Sequence, residues 1–117
     1  WLFYCLLFAS AKGLIHRDKA IILESGIIYG LTAAMYGNIS IEDGAVAQSN
    51  FHDYQMIRMD TAPAIDVVIL QSDAPLGGAG EPGTPPITPA LTNAIFAATG
   101  KRIRTLPVMD MDWGDVG

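Results

Sequence analysis

The hydrophobic positions of residues 19–36 follow no single face of a helix, because apolar side chains recur almost all the way round. A helix that is apolar on every side is typical of a buried helix. Gly26 and Gly30 lie four residues apart, so they share one face, and another backbone can approach closely there. Gly37 follows as a C-cap signal. The pattern therefore predicts a buried helix over 19–36 with a glycine face.

A second helical pattern covers residues 87–99. Thr88 followed by Pro89 predicts an N-cap with proline at the first helical position. Gly100 predicts the end of the helix. The apolar residues at helical spacing are Leu91, Ala94, Ile95 and Ala98.

Three further segments have the pattern of strands. Residues 38–48 alternate around Asp43-Gly44, a strong signal for a tight β-hairpin. The continuous apolar run 65–70 predicts a strand buried on both faces, and 101–106 predicts a short edge strand. Together these elements predict an α+β fold, with two main helices packed on a small mixed, mostly antiparallel sheet and a Gly/Pro-rich loop between them.

Composition indicates a piece of protein that packs against more protein. Of the 117 residues, 50% are hydrophobic and 16% are charged, whereas charged residues make up about 25% of a typical soluble domain. The net charge of −5, with no basic cluster beyond 101–104, excludes a nucleic-acid binder. The single cysteine, Cys5, allows no internal disulfide and no four-cysteine metal site. The apolar run 1–9 is shorter than the roughly 20 residues of a membrane span. It predicts a buried strand, with the core of a truncated signal peptide as the weaker interpretation.

Residues 77–86 contain one carboxylate, Glu81, among glycine, proline, alanine and threonine. Glycines permit close backbone approach to a ligand, and prolines stiffen the loop. Two interpretations fit this composition: a surface loop with a solvated glutamate, or a general base beside a bound cofactor. A general base works best when burial brings a carboxyl pKa near the working pH, so the second interpretation predicts a buried Glu81. Asp73 offers a second acid for a two-carboxylate hydrolase, which is the weaker interpretation.

Two polar stretches predict structure rather than metal chemistry. His52 and Asp53 are adjacent, so in an extended chain they point to opposite faces and form no ready metal pair. The alternating acids of 109–115 lack the spacing of a calcium loop and predict a loose, solvated tail.

The run 77–102, together with Ser49-Asn50-Phe51-His52-Asp53-Tyr54 upstream, closely resembles the C-terminal end of a molybdopterin-binding large subunit. The family is that of xanthine dehydrogenase and aldehyde oxidoreductase, and the nearest branch is the isoquinoline 1-oxidoreductase beta subunit type. The resemblance covers about residues 24–107. It leaves 1–23 as a divergent N-terminal segment and 108–117 as an acidic tail.

The resemblance implies a function for the loop. In that family the glutamate of the Gly-Glu-Pro motif is the catalytic base next to molybdenum, and Glu81 stands at that position. Gly78, Ala79 and Gly80 are then expected to bind the cofactor, which is molybdopterin with molybdenum, in the cytosine dinucleotide form. The implied reaction is oxidative hydroxylation of an aldehyde or an N-heteroaromatic carbon.

The resemblance also implies partners and supporting residues. Partners would be the remainder of the large subunit and an iron–sulfur small subunit, since this chain lacks the cysteines for clusters. Asn50, Asp53 and Tyr54 are expected to be hydrogen-bonding struts. The family has a pterin-contacting glutamine where this chain has Ile22, which cannot make that bond. An alternative is therefore a non-catalytic remnant or structural subdomain that keeps the fold without binding cofactor.

Overall fold

The computed structural model of the chain describes residues 16–69, 78 and 80–114, with side chains from residue 20 onward. The predicted strand 1–9 and the residues Cys5, Asp73 and Ala79 lie outside this part of the chain. Three helical segments and one hairpin make up the regular structure of the described residues.

The first helix, α1, runs His16–Tyr36 and confirms the predicted helix, which it extends by one turn at its start. The amide of Gly37 donates to the carbonyl of Ala33 at 3.0 Å and ends the last turn. Burial on every side is wrong for the described residues: Leu23 is 1% exposed, but Tyr29 is 72% exposed, because the described elements cover only one side of α1. Within the described residues, neither α1 nor any other helix is both long and apolar enough to cross a membrane.

The second helix, α2, runs Ile87–Thr99 and confirms the second predicted helix. Its N-cap is Pro86 and not Thr88, because the carbonyl of Pro86 already accepts the amide of Ala90 at 3.1 Å, and no side chain caps this end. Gly100 adopts a left-handed conformation with φ 70° and donates to the carbonyl of Phe96, as the sequence predicts.

The core lies where α1 and α2 meet a short 3-10 helix, Val108–Asp110. Ala34 and Val108 are 1% and 3% exposed, and Leu91 packs with them. Trp113 packs against this cluster from the tail. The prediction of a loose tail is therefore wrong as far as residue 114: its acids face outward, but Val108 and Trp113 attach it to the helices.

The hairpin forms where the Asp-Gly signal predicts it. Strands β1 (Ile41–Glu42) and β2 (Ala45–Val46) pair antiparallel, with Ile41 opposite Val46. Asp43 and Gly44 both have positive φ, 51° and 80°, which is the geometry of the tight turn that suits the strand twist. The α+β class is confirmed, but in the described residues the helices pack on each other rather than on the hairpin.

The two other predicted strands are wrong within the described residues. Residues 65–69 alternate between half-buried and exposed positions and pair with no other strand, and Leu70 lies outside the described part. Residues 101–106 also remain unpaired; there Lys101 donates to the backbone carbonyl of Trp113. A strand needs a partner backbone, and the part of the chain that the structure describes provides none beside either segment.

Candidate active-site loop

The loop that carries Glu81 lies directly on the glycine face of α1. Gly83 is buried against the helix turn formed by Leu23 and Ile27. Thr84 follows and lies against Gly26 and Gly30. The predicted close backbone approach to the glycine face is confirmed, and the backbone that approaches is that of the loop.

The distances show that side chains are excluded from this contact. A Cβ placed on Gly30 would lie 2.7 Å from the carbonyl oxygen of Thr84, and one on Gly83 would lie 2.9 Å from that of Leu23. Real Cβ atoms essentially never approach backbone atoms this closely, so either addition would push the loop off the helix. A Cβ on Gly26 would meet the loop at 3.4 Å, which is close to ordinary contact.

Thr84 connects the helix to the glutamate through two hydrogen bonds. Its hydroxyl donates to the carbonyl of Gly26 at 3.1 Å, in a partly buried position. Its amide donates to the carbonyl of Glu81 at 2.9 Å, which closes a tight turn. The backbone of Glu81 is thus held relative to α1.

The side chain of Glu81 is exposed in the described structure, so the predicted burial is wrong. The cause is local, because Glu81 stands on the outer side of the turn that Gly83 and Thr84 hold against α1. The glycines before it, Gly78 and Gly80, are exposed, and a Cβ on either would meet no described atom within 4 Å. The arrangement presents one carboxylate and an open stretch of backbone on a fixed base; Ala79 lies outside the described residues.

Residues 49–53, well upstream of the Glu81 loop, form a hydrogen-bonded turn. The carboxylate of Asp53 accepts the amides of Ser49 and Asn50 at 2.8 and 2.9 Å and the hydroxyl of Ser49 at 2.9 Å. The amide of Ser49, then that of Asn50, holds the pKa of Asp53 below its ordinary value. Asn50 accepts the amide of Phe51 at 2.8 Å. Asp53 and Asn50 are therefore struts, as predicted, while Tyr54 is half-buried.

No metal site is formed from side chains in the described residues. Nowhere in 20–69 or 80–114 do three His, Cys, Asp or Glu side chains come together. His52 lies 3.6 Å from Asp53, so the two do not point to opposite faces; the segment is turned rather than extended.

Comparison with known proteins places the chain in a family, although no protein-family model matches it. It is 40% identical over 86 residues to the isoquinoline 1-oxidoreductase beta subunit of Brevundimonas diminuta, covering 74% of this chain and 11% of that protein. It is 36% identical over 89 residues to a membrane-bound pyrroloquinoline-quinone aldehyde dehydrogenase of Gluconacetobacter polyoxogenes, covering 76% of this chain and 12% of that protein. A putative xanthine dehydrogenase molybdenum-binding subunit of Escherichia coli is 31% identical over 93 residues, which is 74% of this chain and 12% of that subunit.

The chain belongs to the xanthine dehydrogenase family of oxidoreductases, as a homologue of part of its molybdenum-binding subunit.

The chain spans about a tenth of the length of these relatives, 11% and 12% for the first two. The resemblance to the xanthine dehydrogenase family is thereby confirmed. The roles of Glu81, Gly78, Ala79 and Gly80 stay predictions.

The sequence did not predict that Thr84 attaches the Glu81 loop to α1. A threonine in a Gly/Pro loop has no distinctive signal of its own. The available signal was the pair Gly26 and Gly30, which predicts a close backbone contact but does not say which segment makes it. The fold adds that information by placing Thr84 on this face.

Proposed function

We propose that the chain is part of the large subunit of a molybdenum-dependent oxidoreductase and that Glu81 is the general base of its reaction. The reaction is oxidative hydroxylation of an aldehyde or of a carbon in an N-heteroaromatic ring. The observation that carries the proposal is that the Gly-Glu-Pro loop is held against α1 through its backbone, in a chain homologous to a molybdenum-binding subunit.

The loop fits a bulky cofactor on its outer side. Gly78 and Gly80 are exposed and have open space where side chains would stand, so a ligand can reach their backbone. The backbone of Gly78, Ala79 and Gly80 would hold molybdopterin, in its cytosine dinucleotide form. When bound, molybdenum supplies two-electron oxidation of the substrate carbon.

The protein's part of this chemistry is position and proton transfer. In this proposal an Oε oxygen of Glu81 takes the proton of the attacking O–H group as the new C–O bond forms. The substrate's C–H bond breaks, and its hydrogen and electron pair would leave to the bound molybdenum group. The turn closed by Thr84 holds Glu81 without using its carboxylate, which stays available. Substrate and cofactor would cover the exposed carboxylate during the reaction and exclude water from it.

The exposed apolar side chains support further protein partners. Tyr29, Phe51 and Met59 are 72%, 72% and 96% exposed. A stable protein usually covers such an accumulation of large apolar side chains. We assign this surface to the remainder of the large subunit. In this proposal an iron–sulfur subunit accepts the electrons.

Replacing Glu81→Gln in the holoenzyme tests the assignment. The amide keeps the size of the side chain but cannot take up a proton at neutral pH, so kcat should fall by about 10²- to 10⁴-fold, the usual contribution of general base catalysis. Turnover would be measured with an aldehyde and an N-heteroaromatic substrate, and molybdenum content with mass spectrometry of metals.

Glu42→Gln is the matched control, because Glu42 is also exposed but lies on the hairpin. It should leave both turnover and molybdenum content unchanged. Turnover of the Glu81→Gln enzyme within a few-fold of wild type, at equal molybdenum content, would refute the role of Glu81.

A further inference from the structure

We infer that Thr84 is a positioning residue for Glu81, acting through its hydroxyl bond to α1. The inference rests on the proposed function of Glu81 as the base. It adds a second residue, outside the Gly-Glu-Pro motif, that the reaction requires.

Thr84 is attached to the chain on both sides of the loop. The amide of Thr84 binds the carbonyl of Glu81 at 2.9 Å, and its carbonyl accepts the amide of Ile87 at 3.4 Å. Thr84 therefore joins the glutamate turn to the start of α2. A shift of Thr84 would move the backbone of Glu81 with it.

The hydroxyl of Thr84 fixes where the loop lies along α1, which packing alone does not. The glycine contacts allow the loop to lie close to α1, but they are only steric limits. The bond from the Thr84 hydroxyl to the carbonyl of Gly26, 3.1 Å long and partly buried, selects one position along the helix. Valine has nearly the same shape as threonine but no donor. It would keep the packing contact with α1 but would no longer fix the loop at one position along the helix.

The rate of proton transfer depends strongly on the position of the base. A base must lie within hydrogen-bond reach of the proton it takes. A displacement of about 1 Å in a catalytic group can lower the rate by roughly 10²-fold. Within the described residues Glu81 is held through its backbone, so the loop's attachment to α1 sets the position from which its side chain reaches a substrate.

The experiment compares Thr84→Val with Thr84→Ser in the holoenzyme. Thr84→Val should lower kcat by roughly 10- to 100-fold with KM changed by less than about threefold, because positioning is lost while substrate binding remains. Thr84→Ser keeps the donor and should stay within about threefold of wild type. Molybdenum content should be the same in both.

Thr92→Val is the matched control. The hydroxyl of Thr92 also donates to a backbone carbonyl, that of Pro89 at 3.1 Å, but it does so within α2. Its removal should leave kcat unchanged. A second measurement needs no activity: the backbone amide of residue 84, which donates to Glu81, should exchange its hydrogen faster in Thr84→Val than in Thr84→Ser and the Thr92→Val control.

A double variant separates this inference from the function on which it rests. If Thr84 acts through Glu81, Thr84→Val should lower kcat little further once Glu81→Gln is present, because residues that act as a unit are non-additive. Fully additive losses, equal losses in Thr84→Val and Thr84→Ser, or a kcat for Thr84→Val within threefold of wild type would overturn the inference. Normal turnover in Glu81→Gln alone would instead overturn the proposed function.

Discussion

The Glu81 loop on α1 and the hairpin 38–48 differ in the kind of contact that accounts for their residues. In the first, Gly30 and Gly83 are required by contacts within the chain, at distances where no side chain fits. In the second, Ile41 and Val46 face each other across the strands and are 71% and 53% exposed. The loop contact is complete in the described structure, whereas for the apolar residues of the hairpin we propose contacts with other protein.

This difference suggests which region carries the site and which carries the assembly. A contact made of backbone atoms and glycines is rigid, and rigidity suits the placement of a base. An exposed apolar hairpin contributes little to its own fold but offers area to a neighbour. We therefore expect changes in the first region to affect stability strongly, and changes in the second to affect association.

The largest effect should come from Gly30→Ala, measured by urea unfolding of the chain. The new Cβ would lie 2.7 Å from the carbonyl oxygen of Thr84, and overpacking of this kind costs about 1–3 kcal/mol. The helix gains back roughly 0.5–1 kcal/mol, because alanine is a better helix former than glycine. The net change should be destabilising.

Gly26→Ala is the control on the same helix face. Its Cβ would meet the loop at 3.4 Å, so the gain in helix propensity should make it neutral or slightly stabilising. Equal losses in both variants would mean that the loop does not lie on α1 as described.

A smaller effect should follow from Ile41→Thr combined with Val46→Thr. Both side chains are exposed and threonine keeps the branched shape that suits strands, so the unfolding free energy should change by only about 0.5 kcal/mol. The same double variant in the complete oxidoreductase should weaken the contact of the hairpin with the remainder of the large subunit, measured as faster limited proteolysis at the hairpin. A loss of stability as large as that of Gly30→Ala would contradict the claim that the exposed hairpin contributes little to the stability of the chain.

The smallest effect should be the pH dependence of the turn beside the hairpin. The pKa of Asp53 is lowered, so its bonds to the amides of Ser49 and Asn50 stabilise the fold above the ordinary carboxyl pKa of 3.8. This contribution is lost as the pH falls through the lowered pKa of the folded state. NMR shifts of the two amides should titrate in that acidic range, and Asp53→Asn should abolish the titration. Amide shifts that stay constant down to the unfolding pH would contradict the bonds.

Local chemistry made part of the fold predictable. The turn at Asp43-Gly44 and the end of α2 at Gly100 require positive φ, which these residue types signal directly. The glycine face of α1 likewise predicted a close backbone contact. These features depend on a few neighbouring residues, so a sequence contains them in full.

The errors concern features that depend on distant parts of the chain. Residues 65–69 have the composition of a strand, but pairing depends on a partner that composition does not reveal. The resemblance ends at about residue 107 and leaves Val108 in the acidic tail, yet Val108 is 3% exposed in the core. For the site, the motif singled out Glu81, while the contact of Thr84 with α1 required the fold.

The most direct test of the account is the molybdenum content of the purified natural polypeptide that carries this chain, co-expressed with its neighbouring gene products. We expect one molybdenum per polypeptide, although Ile22 stands in the place of the family's glutamine. A folded, soluble complex without molybdenum would contradict it. The loop on α1 would then persist as architecture, and the chain would be a non-catalytic relative of the molybdenum-binding subunits.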